Sequence, residues 1–235
     1  MKLELIIPTS LNEIPLKSYQ KFQAIAKSSN DDEFVAQKMI ECFCGIELKE
    51  IVKMKYSDVV DLVEHFDALF SAKPIFENKF KLNGVEFGFI PDLENISLGE
   101  FVDLESNLTD VEILNKAMAV MFRPIKTTYK DKYSIEKYET TAKYDEVMQY
   151  APLNVTLGAR LFFWTLRNDL LKAIPNYLEK VTKQMSLQQK DNSTQNGDGI
   201  PQSMHSLKEI LESLTKLPNY QLEKPLPTLY LKKKK

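Results

Sequence analysis

The residues that could carry chemistry are few in this sequence, and their spacing does not form a catalytic site. His65 and His205 lie far apart in a chain of 235 residues, and Cys42 and Cys44 lie two positions apart. Metal sites and activated nucleophiles need several such side chains to converge. The seven glycines form no phosphate-binding loop, and no nucleophile elbow is present. We therefore expect no catalytic, cofactor-binding or metal-binding residues and no enzymatic activity.

Acidic residues are abundant, but their spacing does not produce a catalytic pair of carboxylates. Asp103 and Glu105 lie two positions apart in a predicted helix, so their side chains point in different directions. The run Asp31–Glu33 stands at the start of another predicted helix, where negative charge offsets the helix dipole. We interpret these residues as structural.

The formal net charge is −2, from 31 Lys and Arg against 33 Asp and Glu. Four of the positive charges are the final residues Lys232–Lys235, so the rest of the chain is acidic. An acidic body argues against a nucleic-acid-binding surface. We interpret the lysines as a solubilising tail. The alternative is weak, salt-sensitive contact with nucleic acid, anionic lipid or an acidic protein.

Hydropathy and cysteine content bear on the cellular compartment. The opening MKLELIIPTS is too short and too interrupted by charge for a signal peptide. No uncharged run reaches the length of a membrane span. The two cysteines are expected to be reduced thiols. These features predict a cytoplasmic protein with no membrane partner.

Apolar spacing predicts a mainly α-helical protein with a small β component, an α+β fold. Lys2–Ile7 alternates like a short edge strand, and two amphipathic helices follow it. A further helix is predicted from Ser57. Asn83-Gly84 between alternating apolar runs is typical of a two-residue type I′ turn. This turn predicts a short β-hairpin with strands at about 77–82 and 85–90.

The segment after the hairpin repeats the pattern of the N-terminus. In both places an Ile-Pro pair precedes the first helix, and a Met-x-x-x-Phe pattern falls in the second. The sequence thus indicates an internally duplicated β-α-α unit at about 2–46 and 85–125, with two merely similar helical hairpins as the alternative. Matching apolar positions are expected to be buried in both copies. The pairs are Ile14 with Ile96, Leu16 with Leu98, Tyr19 with Phe101, Phe22 with Leu104, Met39 with Met118, and Phe43 with Phe122.

The rest of the chain divides into a long helix and a C-terminal arm. Residues 126–138 are polar and predict either a short hairpin or an exposed loop. A long C-terminal helix is predicted at about 153–185, which completes a helical body at 1–185. The polar stretch 186–203 is typical of a flexible linker. Residues 204–235 are predicted to form a tethered amphipathic helix and a basic tail.

Two apolar features are candidates for binding a partner protein. Three consecutive aromatic residues in the long helix cannot all face one side, so they are buried on several sides or partly meet a partner. A short amphipathic helix beyond a linker is unstable alone in water, so it docks on the body or on another protein. The candidate partner-binding residues are Phe162, Phe163, Trp164, Leu207, Ile210, Leu211 and Leu214.

Three apolar stretches carry a family resemblance. They are Ile7-Pro8 with Ile14-x-Leu16-x-x-Tyr19, the echo Ile96-Ser97-Leu98-Gly99-Glu100-Phe101-Val102-Asp103-Leu104, and Leu157-Gly158-Ala159-x-x-Phe162-Phe163. In these stretches the chain resembles tail-assembly chaperones and other small morphogenesis proteins of tailed bacteriophages. The resemblance implies a helix-rich, non-enzymatic protein without cofactors, located in the host cytoplasm or in the virion. Its implied partners are other phage proteins, above all the apolar tape-measure protein, which such a chaperone keeps soluble until the tail tube polymerises.

The expected function is therefore that of a non-enzymatic phage assembly protein, a tail-assembly chaperone that binds the tape-measure protein. The first alternative is a structural virion component, such as a connector, ring or tail protein. The second is a regulatory or nucleic-acid-contacting protein. An enzyme would need a convergent polar pocket, which the sequence does not indicate. Oligomer formation is compatible with each of these functions.

Overall fold

The computed structural model describes residues 5–93 and 95–166. These residues belong to two compact units: residues 5–93 and 95–160 lie in the first, and residues 161–166 lie in the second. The expected mainly α-helical α+β fold is confirmed. The elements are α1 Leu16–Ser28, α2 Asp32–Cys44, α3 Leu48–Ile51, α4 Tyr56–Ser71, β1 Lys79–Leu82, β2 Val85–Phe89, α5 Leu98–Leu108, α6 Leu114–Met121, β3 Phe122–Tyr129, β4 Lys132–Ile135, α7 Asp145–Met148 and a helix at residues 153–166.

Aromatic side chains from α1, α2 and α4 form the centre of the helical core. The ring of Phe43 on α2 lies 5.3 Å from Phe22, 5.3 Å from Phe66 and 5.2 Å from Phe70, measured between centroids. Offset and tilted contacts at this distance suit the charge distribution of aromatic rings. These contacts join α1, α2 and α4 around one residue.

The ends of α2 follow local capping rules. The Asp31 carboxylate accepts hydrogen bonds from the N–H groups of Glu33 and Phe34, at 3.0 and 3.1 Å. Gly45 ends the helix with φ of +69°, a left-handed conformation that glycine adopts without a Cβ clash. Both helix ends are therefore specified by the residues next to them.

The predicted hairpin is confirmed as β1 and β2. Asn83 and Gly84 both have positive φ, 49° and 80°, as a type I′ turn requires. The polar segment after Ile125 forms a second hairpin from the later part of β3 and β4, and Lys130 at its turn has φ of 52°. The four strands form one antiparallel sheet in the order β1-β2-β3-β4. The two central strands, β2 and β3, pair directly, and the chain between them forms α5 and α6.

Residues 5–9 form no strand, so the predicted edge strand is wrong over residues 5–7. Residues 2–4 lie outside the described part of the chain. Leu5 packs against a buried apolar cluster contributed by α2, α3 and α4. The carbonyl of Pro8 accepts a hydrogen bond from Nε2 of His65 on α4 at 2.8 Å. The segment therefore finds its contacts on the helices and not on a neighbouring strand.

The long helix begins at residue 153, as predicted, and is helical through residue 166. Its further predicted course, the linker at 186–203 and the arm at 204–235 lie outside the described residues. Asn154 on this helix donates to the Glu77 carboxylate at 2.7 Å. A Cβ added to Gly158 would lie 2.3 Å from the carbonyl oxygen of Ile75. Glycine at this position allows the helix to lie directly against that backbone.

Candidate protein-binding surface

Polar side chains hold α5 to the rest of the fold. The Ser97 hydroxyl accepts from the Glu100 N–H at 3.2 Å, and the Glu100 carboxylate accepts from the Ser97 N–H at 2.7 Å, which completes a capping box. The other oxygen of Glu100 accepts from Nη2 of Arg123 at 2.5 Å. Because Arg123 belongs to β3, this ion pair joins the first turn of α5 to the sheet.

The Glu100–Arg123 pair is buried and charged. The side chain of Arg123 is 6% exposed and that of Glu100 is 10% exposed. Burial raises the pKa of the Glu100 carboxyl, but hydrogen bonds from Ser97 and the charge of Arg123 outweigh it and hold that pKa below its ordinary value. The pair is therefore ionised at neutral pH.

Tyr138 adds a second attachment on the same side of α5. Its hydroxyl donates a hydrogen bond to the carboxylate of Asp103, and its ring centroid lies 5.6 Å from the guanidinium of Arg123. Burial, followed by the hydrogen bond to Asp103, raises the pKa of the Tyr138 hydroxyl. Tyr138 is thus a neutral donor, and the inward side of α5 is fixed by polar contacts.

The opposite side of α5 presents apolar side chains to solvent. Leu98 is 78% exposed, and Phe101 and Val102 are each 48% exposed. Their spacing of i, i+3 and i+4 places them on one face of the helix. We call these three residues the α5 surface.

The expected burial of Leu98 and Phe101 is therefore wrong. Their counterparts on α1, Leu16 and Tyr19, are buried. Leu104 of α5 is buried, as its counterpart Phe22 on α1 is, so the two helices share only part of a buried face. In the first turn of α5 the inward position is held by Glu100, which pairs with Arg123. Ile96 is only partly buried, whereas its counterpart Ile14 is buried. The remaining expected pairs are buried in both segments; they are Phe22 with Leu104, Met39 with Met118 and Phe43 with Phe122.

Fold stability alone does not account for this orientation. Fully burying a leucine or phenylalanine side chain would contribute about 1.5–3 kcal/mol, which α5 forgoes. A buried ion pair is often no more stabilising than apolar residues in the same place. In addition, the buried Nε of Arg123 has no hydrogen-bond partner within the described part of the chain. Three neighbouring exposed apolar side chains beside a buried ion pair form a small apolar surface that a partner protein can cover.

The aromatic residues predicted to bind a partner lie in residues 161–166. Phe162 and Phe163 are partly exposed, and their ring centroids lie 5.7 Å apart in an edge-to-face arrangement. Trp164 is buried, with 5% of its surface exposed. The binding role of these three residues stays a prediction. The other four predicted residues, Leu207, Ile210, Leu211 and Leu214, lie outside the described residues.

Residues with reactive side chains do not converge in the described part of the chain. Within residues 5–93 and 95–166, no group of three or more His, Cys, Asp and Glu side chains could hold a metal ion. Cys42 and Cys44 are free thiols, and burial raises the pKa of both, that of Cys44 to about 11. A thiol with a raised pKa is a weak nucleophile at neutral pH.

None of the helices in the described ranges combines the length and the apolar character needed to cross a bilayer. Comparisons of the chain with protein-family models, with curated proteins and with solved structures find no significant match. Function is therefore inferred from the residues themselves, and the α5 surface is the feature that most needs a functional explanation.

Proposed function

We propose that this chain is a non-enzymatic assembly protein of a tailed bacteriophage, a tail-assembly chaperone that binds the tape-measure protein. The observation that carries the proposal is the exposure of Leu98, Phe101 and Val102 on a helix whose inward side holds Leu104 and the buried Glu100–Arg123 ion pair. These residues fall in the stretch 96–104 that the resemblance to phage proteins rests on. An apolar helical protein awaiting assembly needs its exposed stripes covered, and a matching helix face can cover them.

The geometry of α5 suits temporary binding. The capping box and the Glu100–Arg123 pair hold the helix in one orientation, so little conformational freedom is lost when a partner helix packs on it. Three apolar side chains form a small contact, and small contacts are typical of weak, transient complexes. A chaperone must release its client when tail-tube subunits arrive, so a weak contact is appropriate.

The proposal extends to cofactors, partners and location. The chain is proposed to act on other phage proteins in the host cytoplasm, without a cofactor, a small-molecule substrate or a membrane partner. Phe162 and Phe163 are proposed as a second contact, since both are partly exposed.

Co-expression with the tape-measure protein tests the proposal. The wild-type chain is expected to raise the soluble fraction of the tape-measure protein. The double variant Leu98→Ser/Phe101→Ser is expected to lose this effect while keeping its circular dichroism spectrum, because both side chains are exposed. Val52→Ser is the matched control, since Val52 is 70% exposed but lies on another part of the protein.

Two results would contradict the chaperone function. One is an unchanged solubility of the tape-measure protein in the presence of the wild-type chain. The other is detection of the chain in purified particles at a symmetric copy number, which would instead make it a structural virion component. A chaperone should be absent from finished particles.

A further inference from the structure

The α5 surface lies in the most acidic stretch of the chain. No Lys or Arg occurs between Lys81 and Lys116, whereas this interval contains eight acidic residues. Glu105 follows Phe101 and Val102 by four and three positions, so it stands on the same helix face as the α5 surface. The apolar face is thus continued along the helix by a carboxylate.

Several neighbouring carboxylates are already satisfied within the fold, but Glu105 is not. Glu100 pairs with Arg123, and Glu112 lies 3.7 Å from Nζ of Lys27. Glu105 is exposed, and within the described residues it forms no ion pair or hydrogen bond. Asp110, two residues beyond the end of α5, is exposed as well. The negative charge beside the α5 surface is therefore available to a partner.

We propose that the α5 surface binds an amphipathic helix whose apolar stripe is bordered by Lys or Arg. This inference rests on the proposed function and adds the chemistry of the partner to it. The apolar side chains of the partner would pack on Leu98, Phe101 and Val102, and its cations would lie near Glu105. Complementary charge speeds association and fixes the register of the two helices, whereas an acidic helix would be repelled.

Two labelled synthetic peptides test this chemistry against the full-length chain. Both carry the same leucine stripe at i, i+3, i+4 and i+7 spacing, and they differ only in having Lys or Glu at the bordering positions. Binding is measured by fluorescence anisotropy at low and at high salt. Replacing Lys by Glu in the peptide turns an attraction to Glu105 into a repulsion. Exposed charge pairs are weak individually, so these two contributions together predict up to about tenfold tighter binding of the Lys-bordered peptide at low salt. High salt should reduce this preference because it screens exposed charges.

Substitutions separate the charged contribution from the apolar one. Glu105→Lys is expected to abolish the preference for the Lys-bordered peptide, whereas Glu86→Lys, at an exposed carboxylate on β2, is expected to leave it unchanged. Leu98→Ser is expected to weaken the binding of both peptides, whereas Val52→Ser is expected to change the binding of neither. Circular dichroism confirms that each variant is folded, and all four positions are exposed.

The outcomes distinguish this inference from the function on which it rests. Equal binding of the two peptides, weakened by Leu98→Ser, would overturn the basic-partner inference and leave the apolar contact standing. If neither peptide binds, or if Leu98→Ser does not weaken their binding, the α5 surface is not a binding site for an amphipathic helix. Replacing Lys232–Lys235 by serine should leave binding unchanged. Tighter binding after that replacement would mean that the lysine tail occupies the α5 surface. This result would overturn the inference that a basic helix from another protein binds there.

Discussion

Substitution of Glu100 by glutamine tests whether the buried ion pair holds α5 in place. Glutamine keeps the shape of the side chain and an oxygen for the Ser97 N–H, but it leaves the charge of Arg123 buried without its carboxylate. Removing one member of a buried pair costs about 3–5 kcal/mol. We expect the free energy of unfolding, measured by urea denaturation, to fall by that amount.

The exposed pair of Glu47 and Lys49 provides a matched control. Its N–O distance is also 2.5 Å, but its side chains are 72% and 69% exposed. Glu47→Gln is expected to leave the free energy of unfolding almost unchanged, because an ion pair exposed to water contributes little to stability. Equal effects of Glu100→Gln and Glu47→Gln would refute the claim that burial makes the Glu100 pair important.

The difference in unfolding free energy between the wild-type chain and Glu100→Gln is expected to depend on pH in one direction. In the folded protein the pKa of Glu100 lies below its ordinary value of 4.5. Its ionised form therefore stabilises the fold above that ordinary value, and this contribution is lost as the pH falls through the folded-state pKa. The difference in unfolding free energy between the wild-type chain and Glu100→Gln should shrink as the solution is acidified. A difference that grows on acidification would contradict the assigned direction.

Three further substitutions test other contacts. Gly158→Ala places a Cβ 2.3 Å from the Ile75 carbonyl oxygen, and we expect it to destabilise the fold by about 1–3 kcal/mol. Gly99→Ala, whose Cβ would have its nearest neighbour at 3.9 Å, should be neutral or stabilise α5 by up to about 1 kcal/mol. Thermal unfolding compares them, and equal melting temperatures would count against the close approach at Gly158. A hydrogen bond from Tyr144 is the main cause that lowers the pKa of Glu136 to about 2. Tyr144→Phe should raise the Glu136 midpoint in a carbon-13 NMR titration, and an unchanged midpoint would contradict that cause.

Features that depend on neighbouring residues could be predicted from the sequence. The Asn83-Gly84 turn, the end of α2 at Gly45 and the start of the long helix each follow from residues within one or two turns. Their backbone conformations are set locally, by positive φ or by the periodicity of apolar residues. The mainly helical fold class follows from the same periodicity.

The orientation of α5 could not be predicted in this way. Leu98 and Phe101 have helical spacing and resemble buried residues of α1, so periodicity alone favours their burial. In the first turn of α5 the inward position is held by Glu100, which contacts Arg123, 23 residues later, at a position for which the sequence predicted no strand. The same limit applies to residues 5–7, because a strand forms only where a partner strand lies beside it.

Site-specific photo-cross-linking from α5 tests the central claim most directly. A benzophenone amino acid is placed at position 101 or, as a control, at the exposed position 52, in cells that also produce the tape-measure protein. We predict a cross-linked adduct with the tape-measure protein from position 101 and none from position 52. Equal adducts from both positions, or none from position 101 in a folded and soluble chain, would contradict the assignment of the α5 surface as the binding site.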